Sequence, residues 1–358
     1  MGSAPASTSP SPAKATIPMI DLSAFLSAED STAEQRLQAA QALVSACREI
    51  GFVYIANHGV PQAEVERAFA LSKAFYDLPA EQKMKAPHPP GWSVHRGYSW
   101  PGLEKVSSAL SGVDDEGLVA SLREVQDYKV DGTADEIQKE SYEIGSESNP
   151  GQPNVWLPDE ILPGWRESMT AFYWTCFHAG KRILRALALG IGLDEDALLK
   201  FHSGHYNQLR LLHYPPIPAG AIEDGKFARM PAHTDWSTVT FLFQDDCGGL
   251  QVEDPKRMGQ FIDVEPIPGT VVMNVGDLLM RWSNDYLRST MHRVRLPPLQ
   301  DRFSGDEKMT RARYSIPYFL TTDPDLLIEC LRVDEHHPPK YEPITQRDYA
   351  AMRARVQY

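Results

Sequence analysis

From Asn207 onward the chain reads as a succession of short apolar segments, and this run constrains its fold more than any other feature. "QLRLLHYPP", "TVTFLFQD", "GGLQVED", "GQFIDVEP", "TVVMNVGDLL", "STMHRVRLP" and "RYSIPYFLT" follow one another, separated by Gly, Pro and Asp turns. Segments this short, rich in β-branched and aromatic residues, are strands, and several at this spacing indicate a sandwich or barrel. The preceding half is more helical. "STAEQRLQAAQALVSACREIGF" repeats apolar residues at three- and four-residue steps, with Ser31 as the expected N-cap. A second helix is expected from about Gln62 to Tyr76, before Pro79, and a long one from roughly Pro163 to Gly190, closed by Gly190 and Gly192. "IPMIDLSAFL" and "GFVYIANHGV" read as strands, and residues 86 to 160, rich in Gly, Pro and Ser, as long surface loops. No repeat or linker divides the chain. The expected class is mainly β with flanking α, helices packed around one β-rich core.

Composition narrows the function classes. With 358 residues, 42% hydrophobic and 23% charged, the chain suits a soluble globular protein. No apolar run approaches the roughly 20 residues that span a bilayer, so no membrane partner is expected. Residues 1–15, dominated by Ser, Pro and Ala, read as a disordered tail without the pattern of a secretory signal, which points to a cytoplasmic protein. A formal charge of −13, with no basic cluster interleaved with aromatics, argues against a nucleic-acid polymer as partner. The four cysteines lie far apart, as reduced thiols do. Oligomeric state is unknown at this level.

"RMPAHTDWSTV" carries the chemistry. His233 and Asp235 stand two residues apart at the mouth of a strand, so both project to one face. Such a pair is a buried ion pair, a catalytic acid and base, or half of a metal site. His292, in "STMHRVRL", lies 57 residues beyond Asp235 on a later strand. Two histidines and a carboxylate on neighbouring strands form a facial triad with three open positions, which suits Fe(II) in an O2-activating site, with zinc as the alternative. Arg313 and Ser315, in "ARYSIPYF", again share a face. An arginine beside a hydroxyl is a receptor for a buried carboxylate, and otherwise a structural ion pair.

In their order, "HTD" at 233–235, "HRV" at 292–294 and "RYS" at 313–315 resemble the signature of the isopenicillin N synthase-like Fe(II)/2-oxoglutarate-dependent dioxygenases. "IPMIDLS", "GFVYIANHGV" and "FYDLPAEQK" are similar to that family's N-terminal part. "RGYSWPGLEKVS", "SYEIG" and "RWSND" are closest to its fungal thymine hydroxylase-like group. The resemblance implies a double-stranded β-helix, or jelly roll, with N-terminal and packing helices: a tail over 1–15, an N-terminal region over 16–160 and the jelly-roll core over 161–358. It implies Fe(II) on His233, Asp235 and His292, with 2-oxoglutarate as cosubstrate and O2 as oxidant. The distal carboxylate of 2-oxoglutarate then falls to Arg313, Ser315 and Tyr214. The plant members' Asn-Tyr-Tyr-Pro is here Leu212-His213-Tyr214-Pro215, which removes an asparagine contact, and the segment between His292 and Arg313 carries an extra "LQDRFSGDEKMTR", expected as a surface loop or lid. Trp236, Arg210 and Phe319 are expected beside the substrate, a small ring-containing molecule: a free pyrimidine or a fungal secondary-metabolite intermediate. His58, His202, His205 and His213 are expected as structural histidines. An iron oxidase that dispenses with 2-oxoglutarate and a non-catalytic binding protein are the competing readings.

Overall fold

The structure, a computed structural model, describes residues 16–27, 29–91, 94–103, 136–137, 139–223, 227–297, 303–306, 308–331 and 335–357. The expected tail over 1–15 lies outside them. Twelve strands form two facing sheets. They are β1 (Met19–Asp21), β2 (Phe52–Ala56), β3 (Gly97–Ser99), β4 (Glu140–Ile144), β5 (Gln208–Tyr214), β6 (Met230–His233), β7 (Val239–Gln244), β8 (Leu250–Glu253), β9 (Phe261–Asp263), β10 (Thr270–Val275), β11 (His292–Val294) and β12 (Arg313–Leu320). The larger sheet has eight strands in the order β1-β2-β10-β7-β12-β5-β4-β3, and the smaller has four in the order β9-β8-β11-β6. This is the expected jelly roll. Apart from the parallel pair β1–β2, neighbours in both sheets run antiparallel.

The larger sheet is buried on both faces, which is why its strands β2, β7 and β10 are almost continuously apolar rather than alternating. In β2, Val53 and Ile55 join the core shared with the helices, while Phe52 and Tyr54 join a second core between the sheets. Leu209 and Leu211 divide from Leu212 and Tyr214 in the same way. Each such side chain contributes roughly 1.5–3 kcal/mol by leaving water. The helices on the outer face are α1 (Ala33–Glu49), α2 (Gln62–Tyr76) and α3 (Trp165–Gly190), near the expected positions.

Four local expectations need correction. The N-cap of α1 is Thr32, not Ser31: its hydroxyl accepts from Gln35 N at 3.2 Å, and Gln35 Oε1 accepts from Thr32 N at 2.8 Å. That reciprocal capping box satisfies two amides at once, whereas the Ser31 hydroxyl donates to Ala24 O. Residues 86–160 are not all loop, since β3 and β4 complete the large sheet. β5 would otherwise present an unpaired edge, and polar side chains in "ESYEI" are buried with partners rather than exposed. "TVVMNVGDLL" is not one strand but β10 followed by α4 (Asp277–Trp282). Gly276 makes the turn between them, where a Cβ would sit 2.0 Å from Ser237 O. Within the extra segment after β11, Phe303–Ser304 pairs with Met309–Thr310 as a short hairpin rather than an open loop. A C-terminal helix, α5 (Gln346–Gln357), closes the chain. Among the described residues, no helix is long and apolar enough to cross a membrane.

Candidate active site

His233 ends β6 and His292 opens β11 directly opposite it in register, so backbone pairing sets the two imidazoles side by side, ring centroids 4.2 Å apart. Asp235 follows two residues on, and one ligand atom from each of the three lies within 4.8 Å of the others. Nε2 of His233 and of His292 stand 3.8 and 3.6 Å from Asp235 Oδ1.

The remaining polar atoms of the three decide what they can hold. His233 Nδ1 lies 2.9 Å from Pro231 O and His292 Nδ1 3.2 Å from Thr290 O. A carbonyl only accepts, so each Nδ1 carries the proton and each Nε2 turns a lone pair inward. Asp235 Oδ2 accepts from Thr240 Oγ1 at 2.7 Å and Asn274 Nδ2 at 2.8 Å, which leaves Oδ1 for the centre. Burial and then the neighbouring His292 push the His233 imidazole below its ordinary range. Burial opposes ionisation of Asp235, yet the two imidazoles and the bonds from Asn274 and Thr240 lower its pKa. Two neutral imidazoles and one carboxylate, each with one free lone pair, fit a divalent cation of Fe(II) type.

The loop carrying Asp235 is itself pinned. Asp277 N donates to Asp235 O at 2.7 Å, and Thr234 Oγ1 donates to Asp277 Oδ2 at 2.9 Å. Arg353 of α5 pairs with the same Asp277 oxygen at 2.9 Å.

Farther along the inner face, β12 and β5 bring together the three residues expected as a carboxylate receptor. Arg313 opposes Tyr214 in register, and Ser315 opposes Leu212. Arg313 and Ser315 are each 1% exposed, and Arg313 Nη1 donates to Ser315 Oγ at 3.0 Å. Arg313 Nε donates to Gly248 O at 3.1 Å, and the guanidinium carbon lies 5.1 Å from the centroid of the Tyr214 ring. Among the described residues, the hydrogen-bond partners of Arg313 are thus a carbonyl and a hydroxyl.

The three residues expected beside the substrate have different surroundings. Phe319 is half-buried on the inward face of β12, opposite Thr240 and Gln208. Trp236 is half-buried, packs against the helix-side core and has the Arg353 guanidinium carbon 5.7 Å from its ring centroid. Arg210 lies 2.8 Å from Glu143 and donates to Ser141 at 3.0 Å, and burial raises the Glu143 pKa to about 7. The four histidines have structural partners: Val60 N for His58, Leu198 O and Thr238 for His202, Ser146 for His205, Glu140 for His213. Sequence reasoning does not single out Thr240, Asn274 or Asp277. The available signal was Asn274, a polar residue inside the apolar run "TVVMNV".

Comparison with known proteins gives a consistent picture. Residues 17–160 match the family model described as non-haem dioxygenase in morphine synthesis N-terminal, and residues 206–322 match that of the 2OG-Fe(II) oxygenase superfamily. The chain is 36% identical over 310 residues to the 2-oxoglutarate-Fe(II) type oxidoreductase ppzD of Metarhizium majus, covering 86% of each chain. It is also 36% identical over 292 residues to the proline hydroxylase buaE of Petromyces alliaceus, covering 81% of this chain and 83% of that one. Among solved structures, a full-length Neurospora crassa protein in complex with alpha-KG and thymine is 36% identical, with TM-score 0.79 over 96% of this chain and 97% of that chain.

Proposed function

The chain belongs to the 2OG-Fe(II) oxygenase superfamily, and from that premise we propose that His233, Asp235 and His292 hold its iron while Arg313, Ser315 and Tyr214 hold its cosubstrate. The protein is a 2-oxoglutarate- and Fe(II)-dependent dioxygenase. The observation that carries the residue assignment is the convergence of three lone pairs whose other polar atoms are all engaged, with a buried arginine–serine pair on the same inner face. When bound, iron, 2-oxoglutarate and O2 supply an oxidation of a C–H bond coupled to decarboxylation of the cosubstrate to succinate.

The chain's own residues position and exclude. Asp235 and the two imidazoles fix the metal on one face of the barrel. Arg313 and Ser315 would hold the cosubstrate by its distal carboxylate and so fix its orientation in the site. The wall formed by Trp236 and Phe319 would lie against a ring and keep water from the reacting centre. Arg210, held beside Ser141 and Glu143, would offer hydrogen-bond donation, which suits a carbonyl on a neutral ring. The substrate class we propose is therefore a small ring-containing molecule, a free pyrimidine or an intermediate of fungal secondary metabolism. The thymine in the Neurospora complex and the proline named for buaE are both such rings. Residues 16–160 and 161–358 are proposed as successive regions of the sequence, although their strands share one sheet.

The test is a panel of ring compounds including thymine, uracil and L-proline, incubated with Fe(II), 2-oxoglutarate and O2. Succinate should form with one compound at a rate well above that without any, in step with an oxidised product. Succinate formation that no compound stimulates would overturn the proposed substrate class, and none at all without or with compounds would overturn the site.

A further inference from the structure

Arg229 occupies a bend just before β6, next to Met230, which pairs with Val294 of β11. It is 1% exposed. Its Nη2 donates to Thr310 Oγ1 at 2.7 Å and to Arg311 O at 3.3 Å. Among the described residues, its Nε and Nη1 have no hydrogen-bond partner although both are buried. The Arg229 guanidinium carbon lies 5.8 Å from the centroid of the Tyr214 ring, the same ring that Arg313 approaches to 5.1 Å.

Two buried cations therefore meet at one tyrosine. Burial lowers the Arg229 pKa, and Arg313 is near enough to lower it further. Asp245 acts on both arginines, but its carboxylate is occupied, accepting from Tyr314 N at 2.7 Å and Cys247 N at 3.0 Å. A buried guanidinium with two idle donors beside a second cation is unfavourable unless an anion joins them.

We infer that Arg229 is a second guanidinium for the distal carboxylate of 2-oxoglutarate, donating from Nε and Nη1 alongside Arg313 and Ser315. The assignment rests on the reading of Arg313, Ser315 and Tyr214 as the carboxylate site. Its consequence is selectivity: a carboxylate between two forks favours a 2-oxo diacid over the corresponding 2-oxo monoacid more strongly than one fork does.

The experiment pairs one residue with one ligand group. Dissociation constants are measured anaerobically by calorimetry on the full Fe(II)-loaded chain, with 2-oxoglutarate and with 2-oxovalerate, which lacks the distal carboxylate. Arg229→Met should weaken 2-oxoglutarate about tenfold or more and leave 2-oxovalerate within about twofold of wild type. Equal weakening of both ligands marks a packing role and overturns the inference, as does unchanged 2-oxoglutarate binding. Arg229→Lys keeps the charge and most of the volume, so it serves if the methionine variant does not fold. It should lose affinity for 2-oxoglutarate alone, and an equal loss for both ligands again overturns the inference. A wild-type chain that does not prefer 2-oxoglutarate to 2-oxovalerate fails differently, since it removes the Arg313 site on which Arg229 depends.

Discussion

Where His233, Asp235 and His292 meet, each side chain spends one polar atom on the centre and the other on the protein: Pro231 O, Thr290 O, and the Thr240 and Asn274 donors. Near Tyr214, by contrast, two arginines are buried together and two donors of Arg229 are left over among the described residues. In the first region every polar atom but the three that converge has a partner in the protein, and its geometry is set by strand register. The second is incomplete in charge. A site that must keep its ion can be satisfied in advance, whereas a site that admits and releases an anion in every turnover keeps donors in reserve.

Removing a ligand breaks the complete end outright. Asp235→Ala should abolish Fe(II) binding and turnover, measured by anaerobic metal titration and succinate release, while the chain stays folded by circular dichroism. Near wild-type activity in this variant would sink the triad. The next effect is smaller. Asn274→Ala leaves Asp235 Oδ2 with one donor instead of two, and loss of such an orienting partner typically weakens metal binding by about 10–100-fold. If Fe(II) affinity in Asn274→Ala stays at the wild-type level, the completeness of this end is packing rather than preorganisation.

At the other end, Arg313→Lys keeps a positive charge and loses the planar fork. The apparent affinity for 2-oxoglutarate should fall about tenfold or more, in keeping with roughly 1.5–3 kcal/mol for a charged hydrogen bond. Fe(II) affinity should not change, because Arg313 is bonded to Gly248 O and Ser315 and not to a triad member. A variant that loses both affinities together would merge the two regions into one structural unit.

What the sequence makes legible follows the same division. Periodicity shows α1, α2 and α3 and most strands of the jelly roll, because burial on both faces leaves unbroken apolar runs. The triad and the Arg313–Ser315 pair are legible because "HTD", "HRV" and "RYS" stand in the order of a known family's signature, whereas the spacing of each pair alone leaves an ion pair open. β3 and β4 escape because their polar side chains are paired inside: Glu140 with Lys83 and His213, Glu143 with Arg210. Thr240 and Asn274 escape because their role depends on a partner 5 and 39 residues away, and only register brings them to Asp235. Thr32 displaces Ser31 as a cap because the choice between adjacent hydroxyls rests on the Gln35 side chain.

The smallest expected effect lies at Trp236, which belongs to neither end. Its backbone is tied to the metal side through Asp235, since Asp277 N holds Asp235 O and Arg353 bridges Asp277 and the face of the indole. One part of the ring packs on the helix-side core, and the half-exposed remainder is the part available to a substrate. An aromatic contact of that kind is worth about 0.5–1.5 kcal/mol, which corresponds to roughly a two- to tenfold change in binding. Trp236→Ala should therefore raise the Michaelis constant of the stimulating ring compound by about that factor, or raise the succinate formed per oxidised product, with Fe(II) and 2-oxoglutarate affinities unchanged. Thermal denaturation reports only the packing share, because loss of core packing lowers the melting temperature whether or not the ring meets a substrate; the Michaelis constant and the coupling separate the alternatives. A lower melting temperature with a normal Michaelis constant and normal coupling would assign Trp236 to the core and leave the aromatic wall beside the metal to Phe319.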